Sequence, residues 1–141
     1  MKNFNLLLLA LLITFGTAFA KNPESFTLTI AIKQAPNADG TLRISIFESK
    51  ENWLKKGQTI IESISDKGLV TIEVPGLAAG NYAVSVIHDE NNNETLDTNT
   101  FGIPSEAYGF SNDARGMFGP ASFEDSQFQL TTDTSISIDL D

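Results

Sequence analysis

Gly80-Asn81-Tyr82-Ala83-Val84-Ser85-Val86-Ile87-His88-Asp89 is the stretch on which the fold turns. Tyr82, Val84 and Val86 alternate with Ala83 and Ser85, so one parity is large and apolar while the other is small or polar. Side chains along a strand point to opposite faces, and this period of two predicts a strand with one buried face. His88 shares the parity of the buried set. Turn residues bound the stretch on both sides: Pro75-Gly76-Leu77-Ala78-Ala79-Gly80 before it and an Asp/Asn run after it.

The same alternation recurs on either side. Phe26, Leu28, Ile30 and Ile32 oppose Thr27 and Thr29, and Leu42, Ile44 and Ile46 oppose Arg43, Ser45 and Phe47. Residues 59–64 and 69–74 read as two more strands around Asp66-Lys67-Gly68, with Val70, Ile72 and Val74 inward. Phe128-Gln129-Leu130 and residues 135–140 read as a final pair. The cluster from Ala35 to Gly40 is a turn whose Asp39-Gly40 suits a hairpin. Residues 49–57 break the pattern: Ser49 can cap a helical turn, Trp53 and Leu54 can cover an end of the core, and Gly57 can end it. Lys50, Lys55 and Lys56 read there as a solvated turn, because Glu48 and Glu51 interrupt them. No helical period is sustained. The expected fold is therefore all-β: an antiparallel β-sandwich with Greek-key connections, of the transthyretin or immunoglobulin kind. One long aromatic and glycine-rich loop, residues 99–125, interrupts it, and a segment of that length is expected to be functional or to conceal short elements.

The first twenty residues stand apart. Lys2 supplies a positive start, the run from Leu6 to Phe15 is apolar apart from Thr14, and Ala18-Phe19-Ala20 matches a small-x-small cleavage site. This predicts a secretory leader over residues 1–20, a mature chain starting at Lys21, and a single domain over residues 21–141. The expected location is the periplasm, the cell surface or the medium, with no membrane insertion after cleavage. The whole chain has nine Lys and Arg, of which Lys2 precedes the domain, so eight face 18 Asp and Glu, a formal charge of −10. Such a surface repels phosphate backbones, so nucleic acid is not an expected partner. Without cysteine the domain has no disulfide, no thiolate nucleophile and no thiolate metal ligand.

Two candidate sites follow. The first is the loop after the opening stretch. Asp89 offers a carboxylate, Asn91 and Asn93 offer amide oxygens two and four residues on, Thr95 offers a backbone carbonyl, and Asp97 offers a second carboxylate. Hard cations take such oxygens, and the spacing parallels the first nine positions of an EF-hand loop, making Ca2+ the candidate cofactor. Glu94 stands where an EF-hand has glycine, and Thr100 where it has its bidentate glutamate, so an EF-hand proper is excluded. A missing ligand would have to come from Glu90, Glu94, Glu106 or Asp113. With so few carboxylates the affinity expected is weak, a Kd of about 10⁻⁴–10⁻³ M. Asn and Asp also crowd into turns for reasons unrelated to metals, because their side chains bond their own backbone. The lone His88 is expected to be a packed residue rather than a catalyst.

The second site is the aromatic segment, which together with Phe128 at its far side holds half of the ten phenylalanines. Tyr108, Phe110 and Phe118 would form a stacking surface for a glycan or peptide if exposed, or a self-packed loop if buried. No second histidine, P-loop or G-x-S-x-G is present, and no pair among Glu106, Glu124 and Asp125 is singled out by its surroundings, so no enzymatic activity is expected. The leading expectation is a noncatalytic exported module whose 89–97 loop binds Ca2+ and orders the segment after it. The alternative is a carrier of carbohydrate or peptide, and the partner expected is an envelope protein or a glycan.

Val74-Pro75-Gly76-Leu77, Gly80-Asn81-Tyr82-Ala83-Val84 and His88-Asp89-Glu90-Asn91-Asn92-Asn93 occur in succession. Leu96-Asp97, Phe101-Gly102-Ile103-Pro104, Tyr108-Gly109-Phe110-Ser111 and Phe118-Gly119-Pro120 follow. Taken together they closely resemble the bacterial family DUF2141 across nearly all of the domain. The resemblance implies a small exported protein and no known activity. Loops of that family often read H-D-x-N-x-N-G, and Glu94 stands here in place of that glycine. Gly80-Asn81-Tyr82-Ala83-Val84 is also similar to a strand of transthyretin-like and carboxypeptidase-regulatory sandwiches, which bears on fold alone.

Overall fold

The computed structural model describes residues 24–64 and 68–141. The predicted leader, the start at Lys21 and the Asp66-Lys67 part of a predicted turn lie outside the described residues. Among the described residues there are eight strands: β1 (Ser25–Ala35), β2 (Thr41–Phe47), β3 (Gln58–Ser63), β4 (Gly68–Ala78), β5 (Gly80–Asp89), β6 (Tyr108–Phe110), β7 (Phe128–Leu130) and β8 (Thr134–Asp139). A single short helix, α1 (Phe123–Ser126), and two 3-10 turns, Lys50–Asn52 and Ser111–Asp113, lie among them. No helix among the described residues is long and apolar enough to cross a membrane.

The strands form two sheets, in the orders β4-β1-β8 and β3-β2-β5-β6, with β7 also paired to β5. Pairings skip along the chain, β1 with β4 and β2 with β5, which is the Greek-key pattern of a sandwich. The inward parity is the one read from the sequence. Leu28, Ile30, Ile32, Ile72 and Val74 of one sheet meet Leu42, Ile44, Ile46, Val84 and Val86 of the other in a closed core. Each such aliphatic side chain contributes about 1.5–3 kcal/mol by leaving water.

Four connections differ from the sequence reading. Asp39-Gly40 does not close a hairpin: β1 and β2 belong to different sheets, and the turn carries the chain between them. Turn residues specify that a chain reverses, not which strand it then pairs with. Pro75 and Gly76 do not end β4, which runs on to Ala78. The pairing steps from Leu28–Val74 to Phe26–Leu77, so two residues oppose Thr27 in a bulge, with Gly76 at φ +83°. β7 and β8 do not pair with each other: β7 joins β5, and β8 joins β1. The β1–β8 pair is parallel, the one departure from an antiparallel sandwich among the described pairings. A parallel pair needs a crossover, and the intervening chain supplies one by visiting the opposite sheet.

The outer face of the β3-β2-β5-β6 sheet carries a second, smaller core. Phe47 and Ala83, of the outward parity, pack with Phe123 and with the half-buried Trp53. Trp53 lies 4.9 Å from Phe47, 5.6 Å from Phe110 and 5.9 Å from Phe123 between ring centroids, and its indole N–H donates to Ala121 O at 2.9 Å. Trp53 therefore covers a sheet face, not an end of the main core. Ser49 makes no side-chain cap to the 3-10 turn that follows it. The free edge of β5 is shared: β6 pairs with Ser85–Ile87 and β7 with Gly80–Tyr82. The gap at Val84 is filled by the buried Ser111 hydroxyl, which accepts from Val84 N at 2.9 Å and donates to Ser126 O at 2.5 Å. The 99–125 segment thus conceals a strand, a 3-10 turn and the start of a helix.

Candidate functional site: an acid-lined knot and an apolar groove

β5 ends on Asp89, which is 1% exposed. Its carboxylate accepts from two backbone amides of the loop that follows, Asn93 N at 3.0 Å on Oδ1 and Glu94 N at 2.8 Å on Oδ2. Asn91 Oδ1 also accepts from Asn93 N at 3.1 Å, and Asn93 Oδ1 accepts from Thr95 N at 3.0 Å and from Thr95 Oγ1 at 2.9 Å. The carboxamides donate in turn to Asp97: Asn91 Nδ2 to Oδ2 at 2.6 Å and Asn93 Nδ2 to Oδ1 at 2.8 Å. Asp89, Asn91, Asn93, Thr95 and Asp97, the five predicted ligands, are therefore brought together in one hydrogen-bonded knot.

Of the four residues offered as a further ligand, Glu106 is the one that staples the knot. Buried to 7% exposure, it accepts from Glu90 N and from Asp97 N, both at 2.9 Å, and so ties the start of the loop to its end. Glu90 instead accepts from Asn37 Nδ2 at 3.2 Å, Glu94 lies 3.9 Å from Arg43, and Asp113 accepts from Asp139 N at 2.9 Å on β8. The described residues hold no group of three His, Asp or Glu side chains arranged for a metal. His88 is fully buried and donates from Nε2 to Asp39 O at 2.7 Å, as a packed residue would. Gly40 sits against the same corner, where a Cβ would lie 2.0 Å from Asp89 O. Asn92 and Glu94 adopt left-handed backbone at φ +57° and +70°. The glycine-like conformation at position 94 thus persists with a glutamate in it.

The chain leaving the knot forms one wall of a groove of about 1040 Å³ on the outer face of the sheet. Its floor includes Thr59, Ser45 and Ser85, which stand in one cross-strand row on β3, β2 and β5, with Ser45 and Thr59 hydroxyls 2.9 Å apart. One wall is residues 96–104. Asn99 Oδ1 accepts from Phe101 N at 2.9 Å and Ile103 N at 3.1 Å, and Asn99 N donates to Ile103 O at 2.8 Å, so this arm is a defined turn. It nevertheless holds Phe101 87% and Ile103 59% exposed. The other arm, residues 116–120, holds Met117 89% and Phe118 98% exposed. Leu54, Lys55 and Lys56 complete the rim.

Tyr108, Phe110 and Phe118, the aromatic residues expected to form a ligand surface, all line this groove. They do so differently. Phe118 is in water, Tyr108 is half-buried, and Phe110 is buried at 5% exposure between Trp53 and Tyr108, at 5.6 and 5.7 Å. The aromatic segment both packs on itself and presents rings. From the sequence alone the hydroxyl floor carries no assigned site, and the lysines of the rim read as a solvated turn. The outward parity of Ser45 and Ser85 was the available signal, and nothing local tied it to residues 54–56. Outside the groove lining, Lys50 Nζ lies 2.6 Å from Glu124 Oε1, joining the first 3-10 turn to α1. That bond raises the Lys50 pKa and lowers that of Glu124.

The chain matches the DUF2141 family, described as uncharacterized protein conserved in bacteria, over residues 30–138. It belongs to that family. The match runs from within β1 to within β8 and includes the knot and both arms of the groove. No curated protein and no solved structure matches it.

Proposed function

We propose that this DUF2141 protein is a noncatalytic exported binding module that holds a partly apolar ligand in the groove between its two arms. One observation carries this reading: Phe101, Ile103, Met117 and Phe118 are 59–98% exposed around one concave surface. Large apolar side chains gathered in water raise the free energy of the unliganded protein, and such patches mark binding surfaces. A groove of this size is also within the range of small-molecule and cofactor sites. The knot supports this role by fixing the root of the 96–104 arm. Nile red, a neutral apolar dye, tests the reading. It is expected to bind saturably to the intact protein and to lose at least tenfold in affinity in the Phe101→Ser/Phe118→Ser double variant. Undiminished binding in that variant removes the groove from consideration.

A second reading, weak Ca2+ binding by the 89–97 loop, is favoured by the convergence of Asp89, Asn91, Asn93 and Asp97 in one small turn. An ion there would have to turn the two carboxamides from their donor to their acceptor ends and replace their bonds to Asp97. That requirement keeps affinity at the weak end. For a Kd of about 10⁻³ M, 10 mM Ca2+ stabilises the fold by about 1.4 kcal/mol, a rise of a few degrees in Tm that EDTA removes. An unchanged Tm eliminates this reading and leaves the first intact.

A further inference from the structure

The charge of the groove is the reverse of the charge of the protein. The chain carries 18 Asp and Glu against nine Lys and Arg, yet no Asp or Glu lines the groove, and the charged residues that do are Lys55 and Lys56. Lys50, nearby in sequence, is committed to Glu124 at 2.6 Å. Neither Lys55 nor Lys56 forms an ion pair within salt-bridge distance among the described residues. Lys55 exerts only a coulombic pull on the exposed Glu51, so neither ammonium group is held in an ion pair that a ligand would have to break.

The lining also says what the rest of that ligand is. It contains no Asn, Gln or Arg among the described residues, so it lacks the planar polar groups that read sugar hydroxyls or a peptide backbone. Along β2 and β5 the backbone of the floor is equally unavailable, because each of these strands is paired on both sides, and only β3, which carries Thr59, is an edge strand. What remains is apolar contact from Phe101, Ile103, Met117 and Phe118, a few hydroxyls, and two adjacent cations, Lys55 and Lys56. From this complementarity of charge and apolar surface we infer that the groove takes a single-chain anionic amphiphile, with its acid group at Lys55 and Lys56 and its alkyl body between the arms. This assignment rests on the binding-module reading above and names its ligand class.

Decanoate and its neutral counterpart 1-decanol, both below aggregation, test it on the full domain. Trp53 is the one tryptophan of the chain and touches Phe47 and Phe110 of the lining, so its fluorescence reports occupancy. Decanoate is expected to bind saturably at one site. Lys55→Gln/Lys56→Gln is expected to weaken it about fivefold, the scale of two exposed ion pairs, and to leave decanol unchanged. Equal binding of acid and alcohol, insensitive to the lysines, overturns the anion assignment while the groove stands. Failure of both probes together with Nile red overturns the groove as well. Co-sedimentation with phosphatidylglycerol vesicles, in the absence of saturable decanoate binding, assigns the exposed arms to a membrane surface and overturns the inference.

Discussion

The knot at residues 89–97 and the arms of the groove are built by the same local device and left in opposite states. In the knot, Asn91 and Asn93 fold the backbone by accepting from amides two residues on. In the first arm, Asn99 does the same for Phe101. The knot then uses up what it has gathered: both oxygens of Asp89, of Asp97 and of Glu106 accept hydrogen bonds from within the loop region. The arm does not. Its turn is closed, and its product is a phenylalanine 87% exposed. A region whose groups are satisfied internally explains itself by stability. A region that spends backbone order to hold apolar side chains in water is the one to which the proposed binding role is assigned.

The largest expected effect lies on the satisfied side. Asp89→Ala removes a buried acceptor and leaves the amides of Asn93 and Glu94 without that carboxylate. Asn93 N keeps Asn91 Oδ1 at 3.1 Å while Glu94 N loses its carboxylate acceptor, and a donor left unmatched costs about 1–3 kcal/mol, so a loss of about 2 kcal/mol is expected in urea denaturation. A loss under 0.5 kcal/mol would mean that the knot is an ordinary exposed turn, and the contrast with the arms would vanish.

Glu94→Gly is expected to act in the opposite direction and by less. Position 94 sits at φ +70°, where a Cβ costs about 1 kcal/mol, and the Glu94 side chain contributes only an exposed contact of 3.9 Å to Arg43. Gain from relieved strain is partly offset by the added freedom of an unfolded glycine. The net expectation is a stabilisation of about 0.5 kcal/mol, read from the midpoint in urea at constant m. Destabilisation would show that the glutamate does something in the knot beyond the contacts it makes.

Different parts of the molecule were legible to different depths. The inward parity of β1, β2 and β5 was plain, because burial on one face imposes a period of two whatever the strand pairs with. Partner choice was not, because Asp39-Gly40 and Pro75-Gly76 carry local turn chemistry that serves a sheet crossing or a bulge as well as a hairpin. The knot residues were legible as a group because metal ligation and Asx turns draw on the same oxygens. Which donors those oxygens meet depends on Glu106, nine residues beyond Asp97. The groove was hardest. Its floor, rim and walls come from six separated stretches, and Phe110 and Phe118 have the same side chain with exposures of 5% and 98%. Only the path of the chain around Trp53 separates them.

The smallest effect on stability is expected where the side chains are largest. Phe101→Ser/Phe118→Ser exchanges two rings that remain in water at 87% and 98% exposure, so little apolar area returns to solvent on unfolding. The unfolding free energy should stay within about 0.5 kcal/mol of the parent, as for other surface substitutions. Burial of the two rings in solution would instead cost about 3–5 kcal/mol for each truncation, a difference no urea curve would miss. A drop of that size would make the arms a second knot, packed for stability like Phe110 and Phe123. An unchanged midpoint together with lost Nile red binding would separate folding from recognition within one variant, because rings that contribute nothing to the free protein would be contributing to its complex.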